Sequence, residues 1–387
     1  MDRRSFLRST ALAAGVAALG PSFWDNAYGA TAHVGRGPYG PLLSADRHGV
    51  MIPKGFRSRV VATTGQPAGR GGYTWHSNPD GGAVFPQRDG GWVYTSNSES
   101  LAVQGGGAGA LRFDRRGNVV DSYRILGGTF NNCAGGPTPW GTWLSCEEHP
   151  LGLVHECDPL GVARARPLPA LGLFSHEAVT VDPRRKQLYL TEDAVDGRFY
   201  RFTPTSYPDL TSGTLEAMAL SANGAVTWVP VLTPQLPQAA NRPSGSTAFN
   251  GGEGVWFDAD HVYFTTKGDN RVWDLDIVRR RCTPIYDAAK LGSKAPLTGV
   301  DNLVVSRSGD IFVAEDGGNL EIVLLTPGRE VAPVMRLVGH EGSEITGPAF
   351  SPDGKRMYFS SQRGEGGAGT GVTFEVTGPF RTRRVTR

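Results

Sequence analysis

The chain of 387 residues carries 39 basic and 37 acidic side chains, a formal net charge of +2, 53 glycines and 27 prolines. Gly and Pro together make up about a fifth of it, against a usual share of about an eighth, and Leu-rich helical runs are nearly absent, so turns dominate over long helices. The balanced charge offers no basic face to nucleic acid, and the length suits either two or three domains or one large β-barrel or propeller.

At the N-terminus, Arg3-Arg4-Ser5-Phe6-Leu7 precedes an apolar run from Ala11 to Leu19, and Ala27-Tyr28-Gly29 offers small residues for cleavage. This is the pattern of a twin-arginine export signal over residues 1–30. The apolar run is too short to span a bilayer, which takes about twenty residues. The expectation is therefore a protein exported to the periplasm or beyond, with no integral membrane segment. Residues 31–387 form the exported part, expected as a single domain and a monomer, with no linker visible after about Gly40.

Further along, one strand pattern recurs six times: apolar and often aromatic residues, then small hydroxyl residues, then an acid, amide or other polar group. The copies are WVYTSNSE at Trp92–Glu99, TWLSCEE at Thr142–Glu148, QLYLTED at Gln187–Asp193, HVYFTTKGD at His261–Asp269, DIFVAED at Asp310–Asp316 and RMYFSSQR at Arg356–Arg363. Their spacing is about 45–50 residues, the length of a propeller blade, apart from one longer step of about 74. Six copies predict an all-β, six-bladed β-propeller. The long step contains residues 203–250, rich in Pro, Ser, Thr and Ala, which read as an inserted loop over one face.

A second pattern sits just upstream of each copy, starting at Asp80, Asn132, His176, Glu253, Asp301 and Thr346 and running into a Gly, Pro or Asp turn. Each pair reads as a β-hairpin. A hairpin returns to the end it started from, so the polar start of one strand and the polar end of the next share one end of the blade. Six blades arranged radially gather these ends at one mouth of a central channel. The predicted set is Asn97, Glu99, Cys133, Glu147, Glu148, His176, Glu177, Glu192, Asp193, Glu253, Asp301, Asn302, Glu315 and Asp316. So many like charges in a low-dielectric pocket require protonation or bound cations.

Carboxylate and amide oxygens suit calcium, whereas a thiolate at Cys133 suits iron or zinc. Cys133 can equally be a small buried residue or half of a disulfide, since Cys133, Cys146, Cys157 and Cys282 allow three pairings. The acid pairs Glu147-Glu148, Glu192-Asp193 and Glu315-Asp316 read as ligands or as solvated turns, and His176 as a ligand or a hydrogen-bonded interior histidine. Gly105–Gly109 lacks the Lys-Ser/Thr of a phosphate loop, and no nucleophile elbow is present.

The segment NCAGGPTPWGTWLSCEE from Asn132 to Glu148 resembles the PhoX family of exported alkaline phosphatases. The likeness extends to HEAVTVDP at His176, YLTED and YRFTP after it, EGVWF at Glu253 and EITGPAFSPDG at Glu344. It implies a six-bladed propeller whose central pocket holds ferric iron and calcium bridged by an oxo group and acts on small phosphate esters. On matching positions it implies Cys133 as an iron ligand and Glu177 and Glu253 as iron-bridging carboxylates. Calcium ligands are expected among Asn97, Glu99, Glu147, Glu148, Asp301, Glu315 and Asp316. The sequence departs from the family where an Arg-Pro-Glu-Gly segment supplies a phosphoryl-binding arginine, since Gly251-Gly252-Glu253-Gly254 stands there. Ser98 and Arg363 also replace histidines common in the family. Arg363 and Lys267, both at strand exits, are the expected replacement cations for catalysis. Two other functions fit the pattern: a non-catalytic metal- or ligand-binding propeller, and a calcium-dependent lactone hydrolase by analogy of fold.

Overall fold

Runs rich in β-branched and aromatic residues, cut every few positions by Gly, Pro or Asp turns, favour short strands over helices. The computed structural model describes residues 32–384, so the twin-arginine segment lies outside it. Among the described residues the α-helices are single turns of four residues, Gln238–Asn241 and Ala288–Leu291.

Six sheets follow one another along the chain. Blade 1 is built from Pro79–Pro86, Trp92–Ser98, Gly107–Phe113 and Val119–Gly127. Blade 2 contains Asn132–Pro137, Trp143–Glu147, Val154–Cys157 and Arg166–Pro167. Blade 4 contains Gly252–Asp258, His261–Thr266, Arg271–Asp276 and Arg281–Asp287. Blade 5 contains Val300–Val305, Ile311–Glu315, Glu321–Leu325 and Glu330–Leu337, the last also pairing with His33–Val34 and Val50–Met51. The inner strand of each blade packs on that of the next, and the sixth packs on the first, which makes the chain a six-bladed β-propeller. Each of the six recurring sequence patterns is the second strand of its blade.

Blade 3 corrects one expectation. It begins with His176–Asp182, Gln187–Glu192 and Phe199–Ser206. Much of 203–250, read from composition as an inserted loop, then continues the sheet as Asp209–Leu220 and Val226–Pro230. Leu210, Leu215 and Ala217 are buried among mostly exposed polar neighbours, a half-buried strand that the Ser/Thr-rich composition conceals. The rest of the segment returns to the mouth, where Arg242 pairs with Glu192 at 2.6 Å and Asp196 at 2.8 Å.

Blade 6 is closed from the far end of the chain. Ile345–Phe350, Arg356–Ser361 and Val372–Thr377 take Arg57–Thr63 as their outer strand, with Val372 opposite Thr63 and Thr377 opposite Arg57. Between blades 6 and 1, Trp92, Tyr94, Phe113 and Tyr358 pack as one buried aromatic cluster. Each such side chain contributes about 2–3 kcal/mol by burial.

Each of the six inner strands carries a β-bulge near its start. In five of them the register slips one residue after the strand's first paired position: Pro79, Asn132, His176, Gly252 and Val300. In blade 6 the slip comes later, after Thr346. The inner strands crowd together here. A Cβ added to Gly81 would lie 2.4 Å from Ala134 Cα, and one on Gly254 would lie 2.5 Å from the Leu303 backbone nitrogen, so only glycine fits.

Candidate metal centre

A bulge takes a residue out of the ladder and re-aims its side chain. The residues that follow the five slipped positions are Asp80, Cys133, Glu177, Glu253 and Asp301, and their side chains gather in the mouth. From the second strands, the residue just past the last paired position joins them: Glu99, Glu148 and Asp316. Four overlapping groups result: Asp80–Glu99–Cys133, Cys133–Glu148–Glu177, Glu177–Glu253–Asp301 and Asp301–Asp316–Glu344. Within each, the ligand atoms lie within 4.8 Å of one another. Two clefts, of about 470 and 570 Å³, open on the outside between blades 3 and 4 and between blades 1 and 2. Neither holds such a group among the described residues.

The structure thus brings Cys133, Glu177, Glu253, Glu99, Glu148, Asp301 and Asp316 together, and leaves Asn97, Glu147 and Glu315 out. The reason for the two acids is strand alternation, which sends consecutive side chains to opposite sides. Glu147 turns into its own blade, where it accepts hydrogen bonds from the backbone N–H groups of Phe130 (2.9 Å) and Leu153 (3.2 Å) and meets His155 Nε2 at 3.2 Å. Glu315 accepts from the N–H groups of Thr298 (2.8 Å) and Glu321 (2.9 Å). Glu192 repeats the arrangement with Arg242, Tyr200 and the Arg198 N–H. These three acids hold loops in place.

Asn97 is likewise fully occupied. Its Nδ2 donates to the carbonyls of Cys133 (3.1 Å) and Ala134 (2.7 Å), and its Oδ1 accepts from Trp143 Nε1 (2.9 Å) and Ser145 Oγ (2.8 Å). It is a clamp on the bulge that presents Cys133. His176 is the interior histidine of the two readings: its ring packs against Phe174 at an interplanar angle of 33°, its Nε2 lies 3.1 Å from the Gly172 carbonyl, and burial pulls its pKa down to about 3. All four cysteines are free thiols. Asp80 and Glu344 escaped the sequence reading, although Asp80 opens the first upstream pattern and Glu344 precedes Thr346 by two residues.

The pocket has a floor and a partly charged rim. Asn302 reaches across the channel, donating to Asp301 Oδ1 (2.8 Å) and Glu177 Oε1 (3.4 Å) while its Oδ1 accepts from the Gly347 N–H (2.8 Å). Cys133 Sγ donates to Glu177 Oε1 at 3.3 Å. Gln362 Nε2 donates to Asp80 Oδ2 (2.6 Å) and to Glu99. Lys267 Nζ stands 3.0 Å from Glu253 Oε1 and 3.3 Å from Asp316 Oδ2. Arg363 Nη2 donates to Glu344 Oε1 at 2.6 Å. Gly251, where the family's arginine would stand, has φ of +67°, and a Cβ there would lie 3.7 Å from Lys267 Cβ. Lys267 therefore rises from the same spot, its N–H donating to the Gly251 carbonyl at 2.8 Å.

Electrostatics follow from this crowding. Burial, then repulsion from neighbouring acids, pushes Asp80, Glu177 and Glu253 well above the usual carboxylate range. Glu148 rises to about 8 through burial and then Asp193 and Glu99. Asp301 rises to about 7 through burial, with Lys267 opposing and Asp316 and Asp193 adding. Burial raises the Cys133 thiol too, helped by Asp80 and Glu177. For Lys267, four surrounding carboxylates outweigh burial and hold the ammonium charged.

Cations would reverse these penalties, and the donors suit them. Glu177 Oε2 is fully buried with no hydrogen-bond partner, an orphan acceptor that a cation would satisfy. A thiol flanked by carboxylates suits a transition metal such as iron or zinc, and the oxygen-only groups suit a hard cation such as calcium. Among the described residues, no helix is long and apolar enough to cross a membrane.

Comparison with solved structures supports the fold. Pseudomonas fluorescens PhoX in complex with vanadate, a transition state analogue, superposes with a TM-score of 0.73 at 16% identity, covering 87% of this chain and 97% of that one. XC5397 from Xanthomonas campestris, a gluconolactonase, gives a TM-score of 0.54 at 13% identity, covering 89% and 99%. No curated protein matches in sequence. The family model described as alkaline phosphatase PhoX matches residues 94–155 and 149–289, about half of the chain and every blade from the first to the fourth. The chain belongs to the PhoX alkaline phosphatase family.

Proposed function

We propose that this protein is a metal-dependent phosphatase acting on small phosphate esters, with ferric iron and calcium held in the propeller mouth. The observation that carries the reading is the meeting of Cys133, Glu177, Glu253 and their carboxylate neighbours in overlapping groups within a chain of the PhoX family. Cys133, Glu177 and Glu253 would hold iron, and Asp80, Glu99, Glu148 and Asp301 would supply calcium ligands, while Asp316 and Glu344 pair with Lys267 and Arg363. Bound there, the metals would supply positive charge against the phosphoryl oxygens and the leaving oxygen.

The chain's own contribution is orientation and charge. Lys267 and Arg363 are partly exposed, with about a third of each side chain open to solvent, and both can donate to phosphoryl oxygens without leaving the rim. Lys267 takes the place that Gly251 leaves empty. Asn302, tied to Asp301, Glu177 and Gly347 across the channel, would act as its floor, so that a substrate would enter and its products leave by the same mouth. The Arg3-Arg4 segment supports export of the folded protein.

The test is hydrolysis of p-nitrophenyl phosphate and bis-p-nitrophenyl phosphate, with elemental analysis of the same preparation. The expected result is iron and calcium in the protein, and activity abolished by chelation. Lys267→Met is expected to lower kcat and kcat/KM together by about a hundredfold, the loss usual for one donor aimed at transition-state charge. No hydrolysis under any metal loading would overturn the reading in favour of a binding propeller. Full activity in both Lys267→Ala and Arg363→Ala would remove their catalytic roles.

A further inference from the structure

The acids of the mouth are not served evenly by the protein's own cations. In the group Asp301–Asp316–Glu344, Asp316 meets Lys267 at 3.3 Å, Glu344 meets Arg363 at 2.6 Å and Asp301 receives Asn302 at 2.8 Å. On the other side, Asp80, Glu99, Glu148 and Glu177 form no ion pair with Lys or Arg among the described residues. Asp80 and Glu99 receive the neutral amide of Gln362, and Glu177 receives the thiol of Cys133 and the amide of Asn302. Of the two mouth oxygens without a hydrogen-bond partner among the described residues, Glu177 Oε2 belongs to this side, while Glu253 Oε1 stands 3.0 Å from Lys267 Nζ.

We infer that the pocket is divided into a metal half, formed by Asp80, Glu99, Cys133, Glu148 and Glu177, and a half that takes no metal because Lys267 and Arg363 already fill it. Glu253 and Asp301 stand on the border: both are grouped with Glu177, while Glu253 also pairs with Lys267 and Asp301 also belongs to the Asp316–Glu344 group. A divalent ion approaching Asp316 or Glu344 meets an ammonium and a guanidinium within hydrogen-bond reach of its intended ligands, and must displace both against their own ion pairs. An ion approaching Glu148 or Glu99 meets no ammonium or guanidinium at ion-pair distance from those carboxylates, although Lys267 acts on both, and Arg363 on Glu99, from farther off. The division also gives the mouth a direction. A phosphoryl group would lie between the metals on the side of blades 1 to 3 and the side-chain cations of blades 4 and 6.

This inference rests on metal binding in the mouth, and the test separates the two. Metal content per chain is measured by elemental analysis, and the chelated protein is titrated with calcium by calorimetry. Asp316→Asn and Glu344→Gln are expected to keep the parent's metal count, with calcium Kd within about threefold. Glu148→Gln and Glu99→Gln are expected to lose an ion or weaken calcium by more than about tenfold, one removed charged ligand being worth at least that. Lys267→Met combined with Arg363→Met is expected to admit one further ion. Loss of an ion in Asp316→Asn or Glu344→Gln would overturn the division. If those variants fail to fold, the parent protein still decides: four or more ions per chain, one for each group, overturns it, and three or fewer supports it. A parent that binds no metal would instead defeat the reading of the mouth as a metal centre.

Discussion

Stripping the metals should make the protein's stability fall as pH rises, and Asp301 allows the size to be worked out. Unfolded, its carboxyl loses its proton near 3.8, whereas folded it does so near 7, chiefly through burial. Between those values the folded chain holds a proton that the unfolded chain has released, so raising the pH favours unfolding. The contribution is intact below about pH 4 and lost above about pH 7. At about 1.4 kcal/mol per pH unit, the difference amounts to roughly 4 kcal/mol for this one group. In a chain of this size that corresponds to about 5 °C in Tm. Glu148, raised to about 8, carries the loss further in the same direction. His76 and His176, held near 3 by burial, act in the opposite sense between pH 3 and 6.5, but they are common to both forms. The readout is therefore the gap in Tm between metal-loaded and chelated protein, by calorimetry from pH 5 to 8.5. The gap is expected to widen with pH. A gap that stays constant or narrows would refute the claim that the mouth acids depend on cations.

Two further outcomes test neighbouring parts of the argument. Asn97→Ala should cost roughly 3–5 kcal/mol, because it strands the Trp143 N–H and two backbone carbonyls in a buried site. Thermal denaturation reads that cost, and metal content should fall with it; unchanged stability would show that the clamp on the Cys133 bulge is dispensable. Gly251→Arg places a side chain at φ +67° beside Asp193 and should cost about 1–2 kcal/mol without raising turnover. A gain of tenfold or more would identify Gly251 as the lost phosphoryl-binding position and Lys267 as a bystander.

The blade number was legible because each second strand repeats one pattern at nearly constant spacing, and the chain order of the blades follows it. Which acid of a consecutive pair faces the axis was legible in principle, since alternation along a strand separates Glu148 from Glu147 and Asp316 from Glu315. Treating both members as ligands overlooked it. The bulges were hidden, because an extra residue in one strand shows itself only against its partner. Glu344 fell outside the reading because in blade 6 the slip lies beyond Thr346 and the carboxylate comes from the residue just before the strand, whereas Asp80 sits on a bulge like the other four and was overlooked although it opens its pattern. The pairing of Arg57–Thr63 with Val372–Thr377 could not be read from any local pattern, since its partners lie at opposite ends of the chain.

That closing strand makes the order of assembly consequential. The mouth draws side chains from all six blades, and the ring is sealed only when the last-synthesised sheet captures a ribbon made near the beginning. Half-built intermediates therefore present scattered acids with little grip on an ion. Ion binding in the mouth would then depend on closure of the ring, and a chain cut between residues 64 and 78 is expected to lose both together.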